Sequence, residues 1–174
     1  MKIRFLTDKD ALSYRKLRLS SLKESPFAFS DSYEDQATKT LADFQLEIIK
    51  TGNPIESFTL GAFLEDKLIG FIKFKRDQRS KARHKASLYS LYVEPKYRGQ
   101  GIAKKLILEL FKIIEPIAEL EQLQLSTIIS NNLLIKFYQS FGFQKLGGII
   151  KDDLIIENQY VDAIYMVKNL KKKR

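Results

Sequence analysis

The chain has 174 residues, 44% hydrophobic and 29% charged, with 12 phenylalanines and 8 tyrosines, enough to bury a core and too apolar for a disordered segment. It has no cysteine and one histidine, His84, which excludes disulfides, thiol nucleophiles and Cys- or His-based metal clusters. Lys and Arg number 30 against 21 Asp and Glu, and the net charge of +9 suits an anionic partner: a phosphorylated cofactor, a nucleic acid or a membrane surface.

The opening MKIRFLTDKDA has no apolar leader core, and no stretch approaches the roughly 20 apolar residues of a membrane span, so a cytoplasmic protein is expected. No repeat, low-complexity segment or linker divides the chain, which reads as one domain over 1–174. KIRFLT alternates as a strand, and Thr7 or Asp8 offers an N-cap. From Asp10 to Lys23, Leu12, Leu17, Leu19 and Leu22 fall at helical spacing, and Pro26 stops that helix. FAFSDSYED (27–35) reads as an aromatic loop. A second helix is expected over about 37–50, with Leu41, Phe44 and Ile48 on one stripe and Gly52 and Pro54 closing it.

SFTLGAFLEDKLIGFIKFKRD is a hairpin turning at Glu65-Asp66-Lys67. His84 lies in the charged stretch RDQRSKARHKAS, which reads as a solvated loop. ASLYSLYVEP (86–95) is the next strand, with Leu88 alternating against Tyr89. Past a glycine turn, Ile102, Leu106, Leu110 and Ile113 trace an amphipathic helix that Pro116 must end. A strand follows near 123–129. Asn131 or Asn132 then caps a short helix carrying Leu134, Phe137, Tyr138 and Phe141, which Gly142 terminates. Gly147-Gly148 reads as a turn before a final strand pair, the last strand being Tyr160 to Lys168. Hairpins dominate the middle and the end, so this is a mixed α/β (α+β) order and not a repeating βαβ wind.

The stretch VEPKYRGQGIAKKL (93–106) places Gly99, Gly101 and positive charge where a strand hands over to a helix. A helix N-terminus offers unpaired N–H groups and partial positive charge, and glycine lets an anion approach backbone that a Cβ would shield. It is not a P-loop, which needs two glycines four residues apart followed by Lys-Ser/Thr. Nor is it the dinucleotide fingerprint, because position 104 is lysine where a third glycine is required. Spacing alone leaves a basic turn and an anion site equally open.

The run YVEPKYRGQGIAKKLI resembles the acyl-CoA-binding core of the GNAT N-acetyltransferase superfamily, whose motif Arg/Gln-x-x-Gly-x-Gly/Ala is matched by Arg98, Gly101 and Ala103. NNLLIKFYQSFGF resembles that family's Asn…Tyr…Gly-Phe segment through Asn131, Tyr138, Gly142 and Phe143. ENQYVDAIYMVKNL resembles its closing strand, and LRLSSLKESPFAF its acceptor-side opening. The likeness runs through nearly the whole chain. It implies the GNAT acyl-CoA N-acyltransferase fold, a central, mostly antiparallel, splayed sheet flanked by helices.

The resemblance also implies acetyl-CoA as co-substrate and no metal. Backbone of Leu91, Tyr92 and Val93 would pair with the pantetheine amides, and an N–H near Val93 would hold the oxyanion. Amides of Arg98, Gly99, Gln100, Gly101, Ile102, Ala103 and Lys104 would hold the pyrophosphate. Tyr138 would protonate the departing thiolate. Asn131 would contact the pantetheine arm, or serve only as a cap. Family members often carry a base on the central strands, but SLYSLYV has no carboxylate; Glu34, Glu94 and water remain open. The acceptor implied is a primary amine: a small amine, a polyamine or a peptide amine. Two other classes stand beside this one: an acyl-CoA sensor of the same fold without turnover, and a nucleic-acid binder, which the dispersed basic residues disfavour. Neither a nucleic acid nor a membrane is expected as partner, and a homodimer through the final strands rests on analogy of fold alone.

Overall fold

The computed structural model describes residues 1–52 and 55–171. Its elements run β1 (Lys2–Phe5), α1 (Ala11–Glu24), α2 (Tyr33–Ala37), α3 (Leu41–Ile48), β2 (Ser57–Leu64), β3 (Lys67–Arg76), β4 (Lys85–Val93), α4 (Ile102–Ile114), β5 (Gln122–Ile128), α5 (Asn132–Gln139), β6 (Gln144–Ile156) and β7 (Gln159–Asn169). The strands form one sheet in the order β1-β2-β3-β4-β5-β7-β6. Every neighbouring pair is antiparallel except β4–β5, so the expected mostly antiparallel sheet flanked by helices is what the chain forms.

Helices cover both sheet faces because the strands are apolar on both. One core gathers Phe58, Leu60, Ile72, Phe74 and Leu88 under α4, whose Ile102, Leu106, Leu110 and Ile114 are buried. The other packs Tyr14 and Leu17 of α1 and Phe44 and Ile48 of α3 against Phe63, Phe71 and Tyr92. β3 therefore reads as a continuous apolar run rather than an alternation. Among the described residues no helix is long and apolar enough to cross a membrane.

Three expectations need correction. The helix expected over 37–50 begins only at Leu41, because Thr40 is extended and caps it: its hydroxyl accepts from the Asp43 N–H (3.2 Å), and its own N–H donates to the Asp43 carboxylate (2.8 Å). Part of the expected aromatic loop is helical instead, since the Ser32 hydroxyl accepts from the Asp35 N–H (3.0 Å) and starts α2. Gly147-Gly148 is not a turn. β6 runs through both, the extra length being absorbed by register shifts on either side of Ile150. The true turn is Glu157-Asn158, both at positive φ (50° and 61°), the geometry of a tight two-residue hairpin. His84 is half-buried, and its carbonyl accepts from the Glu121 and Gln122 N–H groups (2.9 and 3.0 Å). Pro54 and residues 172–174 of the basic tail lie outside the described residues.

One irregularity shapes everything that follows. Phe71 pairs with Tyr92 and Lys73 with Tyr89, so the single residue Ile72 faces both Ser90 and Leu91. This is a β-bulge in β4, and Ser90 takes a left-handed φ of 52° to form it. The bulge reverses the alternation: Leu88 and Val93, an odd number apart, share one core, while Tyr92 turns to the other. β4 and β5 pair only from Lys85–Ser87 to Gln122–Gln124 and then part, and the sheet is splayed there.

Candidate active site

The parting of β4 and β5 opens a cleft of ≈ 780 Å³. Its walls include Leu88–Leu91 of β4, Gln124–Ile128 of β5, and Leu134 and Tyr138 of α5. The edge of β4 facing it is unpaired. Beyond the bulge, the Glu94 N–H donates to the Ile69 carbonyl on β3 (2.9 Å), and backbone groups alternate sides along a strand. Tyr92 therefore also points its N–H at β3, and the amides of Leu91 and Val93 point toward β5, which is no longer there. The Val93 carbonyl accepts from Arg98 Nε (2.9 Å), a side-chain donor taking the place of a strand partner. Of the three expected backbone contacts, Leu91 and Val93 face the opening; Tyr92 faces β3 and buries its ring beside Phe71.

The glycine turn lies at the far end of this edge. Gly99 and Gly101 are left-handed (φ 77° and 74°), and a Cβ at either would meet open space, so backbone conformation and not crowding demands glycine there. The Arg98 N–H closes a turn onto the Pro95 carbonyl (3.1 Å), and the first bond of α4 is from Lys105 N–H to the Gly101 carbonyl (3.0 Å). Between them the amides of Gly99, Gln100, Gly101, Ile102, Ala103 and Lys104 have no backbone partner, six donors at the positive end of a helix. Arg98 leaves the expected set: its amide is spent, and its guanidinium bonds Glu24 at the end of α1 (2.7 Å). That pair is half-exposed on both sides, where such pairs contribute about 0.2–1 kcal/mol. Glu24→Gln is therefore expected to weaken acetyl-CoA binding by no more than about fivefold, measured by calorimetry; a larger loss would make the brace essential to the turn.

Tyr138 lines the cleft from α5, 7% exposed, its ring edge-on to Phe137 and Phe143. Burial pushes its phenol well above the ordinary value of 10, so the hydroxyl stays protonated. That suits a proton donor and not a base. Asn131 caps α5, its Oδ1 accepting from the Leu134 N–H (3.0 Å), and it stands outside the cleft wall.

Neither proposed carboxylate reaches the cleft. Glu34 is exposed on α2, and Glu94 is held by Lys67 (2.8 Å) and Lys96 (3.5 Å). The structure brings in a charged group that the sequence did not reveal. Arg18 of α1 pairs with Asp31 (2.5 Å), and Glu47 of α3 pairs with Lys73 of β3 (2.5 Å) and Lys39 (3.2 Å) and accepts from the Tyr14 hydroxyl (3.0 Å). Arg18, Asp31, Glu47 and Lys73 all line the cleft. Burial raises Glu47, but Lys73 beside it outweighs that and leaves the carboxyl below its ordinary value; burial leaves the Lys73 ammonium below its own. In the sequence Arg18 simply falls between Leu17 and Leu19, and no local spacing marks it as a buried member of this wall. Among the described residues no group of three or more His, Asp or Glu is placed to hold a metal ion.

Residues 18–143 match the model of the acetyltransferase (GNAT) family. A spermidine N(1)-acetyltransferase of Thermoplasma acidophilum is 34% identical over 114 residues, 66% of each chain. The L-amino acid N-acetyltransferase AaaT of Escherichia coli is 25% identical over 109 residues, 63% of this chain and 66% of that one. The matches thus span just under two thirds of the length of these curated relatives. A GNAT-family acetyltransferase structure from Streptococcus pneumoniae superposes with a TM-score of 0.83 at 24% identity, over 98% of this chain and 99% of that one, a likeness of fold. The family model covers the glycine turn, the parted strands and Tyr138 together, and the chain belongs to the GNAT acetyltransferase family.

Proposed function

We propose that the chain is an N-acetyltransferase that moves the acetyl group of acetyl-CoA to a primary amine by direct attack in a ternary complex. The observation that carries this is the parted β4 edge leading into six free amides, a strand-shaped slot ending in an anion cradle. Pantetheine would pair with Leu91 and Val93, and the pyrophosphate would lie on Gly99 to Lys104. The Leu91 or Val93 N–H polarises the thioester carbonyl, and Tyr138 gives its proton to the leaving thiolate. The named relatives acetylate a polyamine and amino acids, so a primary or α-amine is the shared chemistry.

The amine must reach the thioester uncharged. Glu47 is neutralised by two lysines, so water in the open cleft takes that proton. With water as the base and an acid that stays protonated, the enzyme should show kcat/KM rising about tenfold per pH unit toward the acceptor's own pKa, near 10.4 for an alkyl amine. A plateau near pH 7 would instead assign an enzymic base. The reading as a whole is tested by thiol release from acetyl-CoA across an amine panel, with calorimetry alongside. Amine-dependent, saturable release is expected. Tight binding without release would make the protein a sensor, and no binding would overturn the slot assignment.

A further inference from the structure

The cleft wall holds a guanidinium that the chain does not satisfy. Arg18 is 1% exposed, yet only its Nη2 is bonded, to Asp31 Oδ2 (2.5 Å); Nε and Nη1 are buried with no partner. Its Cζ sits 4.6 Å over the Phe29 ring, which fixes the plane of the fork. Buried donors are almost always paired, and a guanidinium presents its N–H groups in parallel pairs that match the two oxygens of a carboxylate.

The balance of the surrounding charges says which ligand is wanted. Two of the carboxylates in the wall, Asp31 and Glu47, already carry Arg18 and the two lysines. Asp77 is paired with Arg79 (2.5 Å), and Asp153 of β6, the remaining carboxylate lining the cleft, is exposed to solvent. A polycation would need free carboxylates inside the cleft, whereas the buried capacity left over is that of a cationic donor. We propose that Arg18 receives a carboxylate of the acceptor, so that the acceptor is an amine also bearing a carboxylate, of amino-acid type. This rests on the acetyltransferase reading and narrows its substrate class. Asp31 holds the position in the meantime. It lies on the irregular segment before α2 with its side chain 49% exposed, so it can turn to solvent as the acceptor's carboxylate takes the fork.

The test uses the full chain with saturating acetyl-CoA and acceptors matched in pairs: L-methionine against 3-(methylthio)propylamine, L-lysine against 1,5-diaminopentane, with spermidine beside them. A charged hydrogen-bonded pair should favour the carboxylate member by about tenfold to a hundredfold in kcat/KM, chiefly through KM. Arg18→Lys keeps the charge but loses the fork, and is expected to narrow that ratio through KM rather than kcat. Asp31→Asn removes the competing carboxylate from a half-exposed position and is expected to lower KM for the carboxylate member, a gain that a merely structural ion pair would not produce. Should Arg18→Lys fail to fold, the wild-type pairs and Asp31→Asn decide. Equal rates within each pair, or a preference for spermidine, would overturn the proposal while leaving the acetyltransferase reading intact. Absence of thiol release with every amine would overturn both.

Discussion

Tyr138→Phe is expected to lower kcat about a hundredfold or more while leaving acetyl-CoA affinity nearly unchanged, as general acid catalysis commonly contributes that much. The substitution is clean for a structural reason. The ring packs edge-on between Phe137 (5.5 Å) and Phe143 (5.7 Å), and phenylalanine keeps both contacts. Burial alone raises the phenol, with no hydrogen-bonded or charged neighbour contributing, so removing the hydroxyl leaves no polar partner stranded in the core. Thermal unfolding should therefore hold close to that of the parent. Thiol-release kinetics and calorimetry on the same preparation separate the two effects. An unchanged kcat would remove Tyr138 from proton transfer and make it a wall of the cleft only.

The second large effect concerns the amide cradle. Gly101→Ala should weaken acetyl-CoA binding by about a hundredfold, the loss expected when several charge-assisted bonds to a phosphate are displaced together. An alanine Cβ at φ 74° meets nothing in the protein itself, but it adds bulk to a turn whose amides a pyrophosphate would have to approach closely. Left-handed strain adds roughly 1–2 kcal/mol in any L-residue. The control is Gly147→Ala: Gly147 sits at φ 75° with the same open space, near the start of β6, the edge strand two strands beyond β5. Both variants should lose similar thermal stability, and only Gly101→Ala should lose the cofactor. Equal affinity in the two would place the pyrophosphate elsewhere.

Elements whose pattern is local were legible in the residues. α4 follows from Ile102, Leu106 and Leu110 on one stripe between Gly101 and Pro116, and the hairpin of β2 and β3 from two apolar runs around Glu65-Asp66. α5 follows from its Asn131 cap, and the free amides from Gly-x-Gly at a strand-to-helix junction. Errors arose where two local signals competed. Thr40 with Asp43 formed a cap inside a stretch that hydrophobic spacing alone made continuous. Gly147-Gly148 permitted a turn, but pairing with β7 on both sides of the glycines drew them into a strand.

By itself the sequence determined the order of most elements, the glycine turn between β4 and α4 and the tyrosine on the helix that follows β5, because each depends on neighbours within a few residues. Tertiary structure decided the rest. The bulge at Ser90 needs β3 as its partner, and it alone sets which amides of β4 face the opening and which are spent on the sheet. The charged wall joins Arg18, Asp31, Glu47 and Lys73 from two helices, an irregular segment and a strand, and the Arg18 fork is left half-satisfied only because packing seals it. No spacing rule links residues brought together by folding over such separations, since burial and the cost of an unpaired charge exist only once the chain has closed around them.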